Sequence, residues 1–280
     1  MKIALTGSTG FIGRHVTRRL CELGYSPTLI LRPSAILAPE FHHLRRVDYA
    51  IGTAPAGLFE RAECPELLIH LAWENVRDCN SLEHMSTEWM AHFSFLSSMI
   101  VEGLPKIVGT GTCLEYGMRN GCLSEELAPN PEVPYAAAKW NLFQMLRWLS
   151  NDRPFDLTWV RPFYLYGSGQ DEGTLFSQLR RAAEAEASTF AMSAGEQLRD
   201  YMSIDLFCRD FVRLCLTAGA HGLVNVCDGK PTSVRSLVER LIEENEWAIR
   251  PLFGKIPYRE YEPMGFWGAR QKLDSILGNT

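Results

Sequence analysis

The sequence predicts an α/β protein with a doubly wound parallel sheet, covered by helices on both faces. Two observations carry this prediction. Short apolar, β-branched runs alternate with segments of helical periodicity, and the first run leads directly into a glycine-rich turn. The helix after the turn is marked by Ile12, Val16 and Leu20 on one face and is closed by Gly24. The predicted strands are residues 2–6, 27–31, 46–48, 66–71, 105–109, 157–162 and 223–227.

The glycine-rich turn predicts a dinucleotide site. Gly7, Gly10 and Gly13 are spaced so that the first allows a tight turn, the second lets the backbone approach a pyrophosphate, and the third packs the helix on the strand. The start of the helix offers N–H groups to the phosphates. We therefore expect cofactor contacts from Gly7, Gly10, Phe11, Ile12 and Gly13.

The regular alternation ends after Gly167, and this divides the chain. Residues 1–167 are predicted to form a dinucleotide-binding Rossmann domain, to which residues 200–229 return. Residues 168–199 and 230–280 are predicted to form a smaller, irregular cap that binds the substrate. The substrate-binding region is thus interleaved with the cofactor domain.

A second motif is the pair Tyr135 and Lys139, which lie four residues apart and share one helix face. A free phenol has a pKa near ~10. A neighbouring ammonium is expected to lower the pKa of Tyr135. Such a tyrosine can donate a proton to, or accept one from, a carbonyl or alcohol oxygen.

Taken together, the glycine turn, the segment Gly109-Thr-Gly-Thr112 and the Tyr135/Lys139 pair resemble the extended short-chain dehydrogenase/reductase family. The resemblance covers residues 1 to about 277. The family contains nucleotide-sugar epimerases, dehydratases and ketoreductases. Membership implies a Rossmann fold, a nicotinamide cofactor and a nucleotide-sugar substrate.

The resemblance also implies roles for individual residues. Thr112 matches the catalytic Ser/Thr, which binds the oxygen that Tyr135 protonates, and Lys139 matches the lysine that also binds the nicotinamide ribose. Trp73 replaces a small residue, so it either narrows the sugar pocket or belongs to the core. The other implied cofactor contacts are Asp48 at the adenine, Leu71, Ala72 and Trp73 at the ribose, and Pro162 at the nicotinamide.

On the substrate side, the resemblance implies Arg199 and Arg259 as ligands of the nucleoside diphosphate, with Glu262 beside Arg259. Tyr164 replaces the asparagine expected to contact the diphosphate or sugar. Cys113 and Leu114 stand where 4,6-dehydratases carry an Asp-Glu pair, which excludes dehydration. A cysteine two positions after Thr112 is also missing, so 3,5-epimerisation lacks its usual base.

Arg32 bears on the choice of cofactor. It ends the second predicted strand, where an NAD site usually carries a carboxylate for the ribose hydroxyls, and Ser34 follows it. A guanidinium suits a 2′-phosphate. The sequence therefore favours NADP(H), with NAD(H) possible, while a solvated surface arginine is the alternative for Arg32.

Composition limits the classes of partner. The net charge of −5 argues against a nucleic-acid partner, and no apolar run reaches membrane-spanning length. The eight cysteines form no CxxC pairs, which favours a reducing cytoplasm and argues against a zinc site. His42, His43, His84 and His92 show no ligand spacing and are interpreted as surface or core residues.

Two apolar stripes predict a homodimer through helices 82–101 and 135–150, as the resemblance implies. The alternative is that both stripes pack on their own sheet. The stripes are Leu82, Met85, Trp89, Phe93, Leu96 and Ile100, and Leu142, Met145, Leu146 and Leu149.

The resulting hypothesis is an NADP(H)-dependent reductase of the 4-keto group of a nucleoside-diphosphate 4-keto-6-deoxyhexose. The late segment Pro257-Tyr-Arg-Glu-Tyr-Glu-Pro looks more similar to 4-ketoreductases than to 4-epimerases. Two alternatives remain open: a nucleotide-sugar 4-epimerase with tightly bound NAD, and a non-catalytic NAD(P)-binding regulator.

Overall fold

A computed structural model describes residues 1–55, 57–258 and 263–278. The predicted substrate ligand Arg259 and its neighbour Glu262 lie outside the described residues. In chain order the strands are β1 (Ile3–Thr6), β2 (Thr28–Leu31), β3 (Arg46–Asp48), β4 (Leu67–His70), β5 (Lys106–Thr110), β6 (Gly121–Leu123), β7 (Asp156–Pro162), β8 (Tyr164–Tyr166), β9 (Thr189–Ala191), β10 (Leu198–Ser203), β11 (Gly222–Val226), β12 (Pro231–Ser233), β13 (Arg250–Leu252) and β14 (Phe266–Gly268).

The α-helices are α1 (Phe11–Glu22), α2 (Leu58–Arg61), α3 (Trp89–Val101), α4 (Pro134–Asp152), α5 (Leu175–Glu184), α6 (Ile204–Leu216), α7 (Val234–Glu244) and α8 (Gln271–Leu277). Short 3₁₀ helices span Pro39–Phe41 and Cys113–Tyr116, and a π-helix, His84–Glu88, leads into α3. None of the helices in the described part of the chain is long and apolar enough to cross a bilayer.

Seven strands form the central sheet in the order β11-β7-β5-β4-β1-β2-β3, and every neighbouring pair is parallel. All seven predicted strands are confirmed, including the weakly patterned β3. The chain leaves β1 toward β2 and β3 on one side and then continues at β4 on the other. This reversal opens a crevice at the carboxyl ends of β1 and β4, which is where ligands bind in sheets of this kind.

The sheet buries apolar side chains on both faces because successive residues of β1 point in opposite directions. Leu5 packs in a cluster with Val16 and Leu20 of α1, and Ala4 packs in a second cluster with Leu96 of α3 and Leu142 of α4. Each large apolar side chain buried in this way contributes about 1.5–3 kcal/mol. The strands that end at the crevice are therefore fixed by apolar packing on both faces of the sheet.

The smaller part of the molecule is built from short strands and two helices. β10 pairs with β8 and β12, β9 pairs with β13, and β6 pairs with β14. α5 and α7 contribute to a separate apolar cluster. Asp200 joins these pieces, since its carboxylate accepts hydrogen bonds from the backbone N–H groups of Asp228, Gly229 and Gly268. After β10 the chain returns to the main sheet, where α6 packs beside α1 and β11 pairs with β7.

The predicted dimer stripes need correction. Leu96, Ile100, Leu142 and Leu146 are buried in the protein's own core, because they cover the α3/α4 face of the sheet. The large apolar side chains that these helical segments expose to solvent are Leu82, Met90, Val101 and Trp148.

Candidate active site

The glycine turn closes β1 and begins α1. Gly7 has a φ of +77°, and a Cβ there would lie 2.6 Å from the backbone N of Ala72. A Cβ at Gly13 would lie 1.9 Å from the carbonyl oxygen of Gly7. Gly10 precedes the first residue of α1, and Phe11 and Ile12 pack on the core behind the turn. Side chains at Gly7 and Gly13 would therefore clash with the protein's own backbone, while contacts of the glycine turn with a dinucleotide stay a prediction.

A cleft of about 520 Å³ opens over this turn. Its walls come from the carboxyl ends of β1, β2 and β4 and from the segments that follow β3 and β4. Its lining includes Gly7, Gly10, Arg32, Leu71, Ala72, Trp73, Glu74, Arg77, Glu88 and His92. A glycine turn, a helix N-terminus and a cleft of this size fit the pyrophosphate and adenosine of a dinucleotide.

At the rim of the cleft, Arg32 is paired with a carboxylate. Its Nη1 lies 2.9 Å and 3.1 Å from the two carboxylate oxygens of Glu74, in the segment after β4. Asp48, the predicted adenine contact, instead accepts a hydrogen bond from Arg46 Nε at 2.7 Å. The lining of the cleft passes through Tyr49 and the residues after it. A contact between Asp48 and adenine therefore stays a prediction.

Trp73 connects this cleft to the catalytic pair. Its indole stacks on His92, with ring centroids 4.5 Å apart, and Lys139 Nζ lies 4.0 Å from its ring centroid. Trp73 Nε1 donates to His84 Nδ1 at 3.1 Å. Trp73 is therefore held between the His92 imidazole and the Lys139 ammonium, and it both packs on the apolar core and lines the cleft.

The histidines behind Trp73 are buried and hydrogen-bonded. His92 Nδ1 lies 2.8 Å from His70 Nε2, and His70 Nδ1 lies 2.9 Å from Thr6 Oγ1. Burial, together with the nearby charge of Lys139, lowers the pKa of His92 to about 3. These rings are therefore neutral and serve as core residues, as expected. The described residues hold no group of three His, Cys, Asp or Glu side chains able to bind a metal.

Tyr135 and Lys139 both lie near the start of α4, where Pro134 occupies the first turn. Lys139 Nζ donates to the carbonyl oxygen of Thr110 at 2.9 Å and lies 5.9 Å from the Tyr135 ring centroid. Burial lowers the pKa of Lys139 to about 7, while Glu115 and Glu88 oppose that shift.

The expected effect on Tyr135 was wrong in sign. Burial raises the pKa of the phenol, and the nearby Cys79 and Glu115 raise it further. Burial of the phenolate in a poorly solvated site outweighs the attraction expected from Lys139. Tyr135 therefore carries its proton at neutral pH.

Thr112 is held by a carboxylate that the sequence reasoning missed. Its Oγ1 accepts from the N–H of Leu114, and its own N–H donates to Glu115 Oε1 at 3.1 Å. Glu115 is completely buried and also accepts from Trp159 Nε1 at 3.1 Å and Arg161 Nε at 2.7 Å. The Thr-x-x-Glu spacing of a capping box is the signal that could have found Glu115.

Small residues make room for this carboxylate. A Cβ at Gly111 would lie 2.0 Å from Glu115 Oε1 and 2.3 Å from Trp159 Nε1. Cys113 is buried in the next apolar cluster, and burial raises the pKa of its thiol to about 12. A protonated thiol is a poor base.

The remaining predicted residues, Pro162, Tyr164 and Arg199, lie at the end of β7 and in β8 and β10. Pro162 ends β7, and Tyr164 begins β8. Arg199 is 2% exposed, and its guanidinium carbon lies 4.9 Å from the Phe266 ring centroid and 5.8 Å from that of Tyr164. Arg199 is therefore buried among these aromatic rings rather than in bulk solvent.

A glycine turn under a dinucleotide cleft, with a tyrosine–lysine pair beside it, defines a dinucleotide-dependent enzyme of the Rossmann fold. The chain matches the family described as NAD dependent epimerase/dehydratase over residues 3–227, and it belongs to that family. The resemblance to extended short-chain dehydrogenases/reductases is therefore confirmed.

Individual relatives place the chain among nucleotide-sugar dehydrogenases, reductases and epimerases. It is 32% identical to a dTDP-6-deoxy-L-talose 4-dehydrogenase (NAD(+)) of Aggregatibacter actinomycetemcomitans, over 96% of this chain and 100% of the relative. It is 24% identical to a GDP-6-deoxy-D-mannose reductase of Pseudomonas aeruginosa, over 99% of this chain and 91% of the relative. A UDP-glucose 4-epimerase structure from Thermotoga maritima, 23% identical, shares the fold with a TM-score of 0.84 and covers 99% of this chain and 93% of that one. These comparisons support NAD(H) for the family and give no support to a preference for NADP(H).

Proposed function

We propose that the protein reduces the 4-keto group of a nucleoside-diphosphate 4-keto-6-deoxyhexose, with NAD(H) as cofactor, and oxidises the alcohol in the reverse direction. The observation that carries this proposal is the similarity to a dTDP-6-deoxy-L-talose 4-dehydrogenase along the whole length of both chains. NADP(H), which Arg32 suggested from the sequence, is the alternative cofactor, and the pairing of Arg32 with Glu74 weighs against it.

The chain's own residues supply the acid–base chemistry. A nicotinamide dinucleotide in the cleft supplies or accepts a hydride. The Tyr135 phenol, kept protonated by burial, donates its proton to the sugar's carbonyl oxygen. Thr112 donates its hydroxyl hydrogen to the same oxygen, since its Oγ1 is already oriented by the N–H of Leu114. Lys139 and Trp73 contact each other beside the Tyr135 ring, and they are proposed to fix its orientation and to keep water away from it.

Arg199 is proposed as the ligand of the substrate's diphosphate. Its guanidinium is packed against Phe266 and Tyr164, so little side-chain entropy is lost when it binds an anion. A guanidinium can make two parallel hydrogen bonds to phosphate oxygens. A predicted role for Arg259 rests on sequence resemblance.

The test is a pair of reactions with defined substrates. The purified protein is incubated with dTDP-6-deoxy-L-talose and NAD⁺, and separately with UDP-glucose. We expect NADH and a 4-keto sugar nucleotide in the first reaction and no product in the second. Purification with stoichiometric NAD and conversion of UDP-glucose without net NADH would instead establish a 4-epimerase. Dinucleotide binding without turnover of any ketosugar nucleotide would favour the non-catalytic regulator.

A homodimer through the segments 82–101 and 135–150 is proposed as the assembly. The support is the exposure of Leu82, Met90, Val101 and Trp148, whose large apolar side chains lie on these segments. Light scattering coupled to gel filtration is expected to give twice the mass of the chain. Trp148→Glu or Val101→Glu is expected to give monomers, and a wild-type monomer would refute the proposal.

A further inference from the structure

The pairing of Arg32 with Glu74 bears on how the cleft distinguishes two cofactors. Arg32 directly follows β2, at the position where Rossmann sheets meet the adenosine ribose. Glu74 lies in the segment that follows β4, which is separated from β2 by β1 in the sheet. Both residues line the dinucleotide cleft. Their side chains are 58% and 63% exposed, so a ligand can reach both groups.

Both arginines in the described lining of the cleft are paired with a carboxylate, Arg32 with Glu74 and Arg77 with Asp171, and the lining also contains Glu88. A 2′-phosphate adds about 1.5–2 negative charges at neutral pH. A 2′-phosphate beside Arg32 would also lie close to the negatively charged carboxylate of Glu74, which would repel the phosphate. The uncharged ribose hydroxyls of NAD(H) can instead donate hydrogen bonds to that carboxylate.

We propose that Glu74 determines the cofactor preference of this enzyme by neutralising Arg32, so that the cleft binds NAD(H) in preference to NADP(H). The inference rests on the dinucleotide cleft of the proposed function and adds a specificity-determining residue to it. It explains why an arginine at the end of β2, which by itself favours NADP(H), occurs in a family associated with NAD.

The pair is suited to this task because it is weak as a structural contact. Exposed ion pairs contribute little to folding stability. Removing the charge of Glu74 is therefore expected to leave the fold intact and to free the Arg32 guanidinium for a phosphate. A charge-assisted bond of this kind changes affinity by about ten- to a hundredfold.

The experiment measures the dissociation constants of NADH and NADPH by nucleotide fluorescence, in the absence of any sugar substrate. The wild type is expected to bind NADH more tightly. Glu74→Gln is expected to shift the preference toward NADPH by about tenfold or more. Adding Arg32→Ala to Glu74→Gln is expected to remove that gain, because the freed guanidinium is lost.

Glu40→Gln is the matched control. Glu40 forms a similarly exposed ion pair with Arg18, at 2.6 Å, outside the cleft. It is expected to leave the ratio of the two constants unchanged. A Glu74→Gln ratio equal to that of the wild type, or a wild type that prefers NADPH, would overturn the inference. Binding of neither dinucleotide would overturn both the inference and the proposed function, whereas binding without sugar turnover would refute only the latter.

Discussion

The proposed site has two ends, the rim of the dinucleotide cleft and a predicted sugar end around Thr112 and Tyr135, and each has an arginine–carboxylate pair in an opposite environment. At the predicted sugar end, Arg161 and Glu115 are completely buried, and Glu115 also accepts a hydrogen bond from the backbone N–H of Thr112. At the rim, Arg32 and Glu74 are both more than half exposed. Removing one partner from a buried pair leaves an uncompensated charge in a poorly solvated site, whereas water replaces a lost partner at the surface. The buried pair therefore maintains geometry, and the exposed pair can be used for selectivity.

The largest expected difference between the two ends concerns the reaction rate. Tyr135→Phe removes the proton donor while keeping the ring that packs on Trp73 and His84. We expect turnover to fall by about 10²–10⁴-fold, the usual contribution of general acid catalysis, with dinucleotide affinity unchanged. Steady-state kinetics and NADH titration measure the two effects. Tyr25→Phe, outside the site, is the control, and a near-normal rate in Tyr135→Phe would exclude Tyr135 as the acid.

The next difference concerns stability. Glu115→Gln leaves Arg161 buried without its counter-charge, so the free energy of unfolding is expected to fall by about 3–5 kcal/mol. Glu74→Gln at the rim is expected to cost less than about 1 kcal/mol. Urea unfolding of both variants makes the comparison directly. Equal losses would show that the two pairs do not differ in the way their exposure indicates.

The third expected difference between the two ends concerns which ligand loses affinity when an arginine is replaced. Arg199→Ala is expected to raise the KM for the nucleotide sugar by about ten- to a hundredfold, since charge-assisted bonds to the diphosphate are lost, and to leave NADH affinity unchanged. Arg199→Lys restores part of the effect, because an ammonium cannot make the bidentate contact. A loss of NADH affinity in Arg199→Ala, equal to the loss for the sugar, would place Arg199 in the general fold rather than at the substrate.

The smallest expected effect is a pH dependence at the sugar end. Lys139 has a pKa of about 7 in the folded protein and an ordinary value of 10.5. Between these values the unfolded chain binds more protons, so this group makes the protein more stable as pH rises. Lys139→Met removes that contribution. The stability of the variant relative to wild type is therefore expected to decrease by about 2 kcal/mol between pH 7 and pH 9. Parallel stability profiles from denaturant unfolding would contradict the lowered pKa.

The sequence predicted the sheet well because its signals are local. Periodicity marks each of the seven strands, and the spacing of Gly7, Gly10 and Gly13 defines the turn that carries the cleft. Contacts between distant segments carry no such signal. No sequence feature near Arg32 indicates that its guanidinium forms an ion pair with Glu74, 42 residues later.

The same limit explains the errors at the sugar end. Helical spacing placed Lys139 beside Tyr135, but the pKa of the phenol depends on burial by segments far away in the chain. The dimer stripes were misassigned for a related reason. Leu96 and Leu142 show the periodicity of an apolar face, and periodicity alone does not say whether that face meets a sheet or another subunit.

Transfer of deuterium from the cofactor to the sugar tests the central claim most directly. The protein is incubated with a dTDP-4-keto-6-deoxyhexose and NADH that carries deuterium at C4 of the nicotinamide, and the product is analysed by mass spectrometry and NMR. We predict one deuterium at C4 of the sugar for each NADH oxidised, and transfer that is about 10²–10⁴-fold slower with Tyr135→Phe. A 4-keto sugar that stays unreduced with no NADH consumed, or deuterium transfer at the wild-type rate in Tyr135→Phe, would contradict this mechanism.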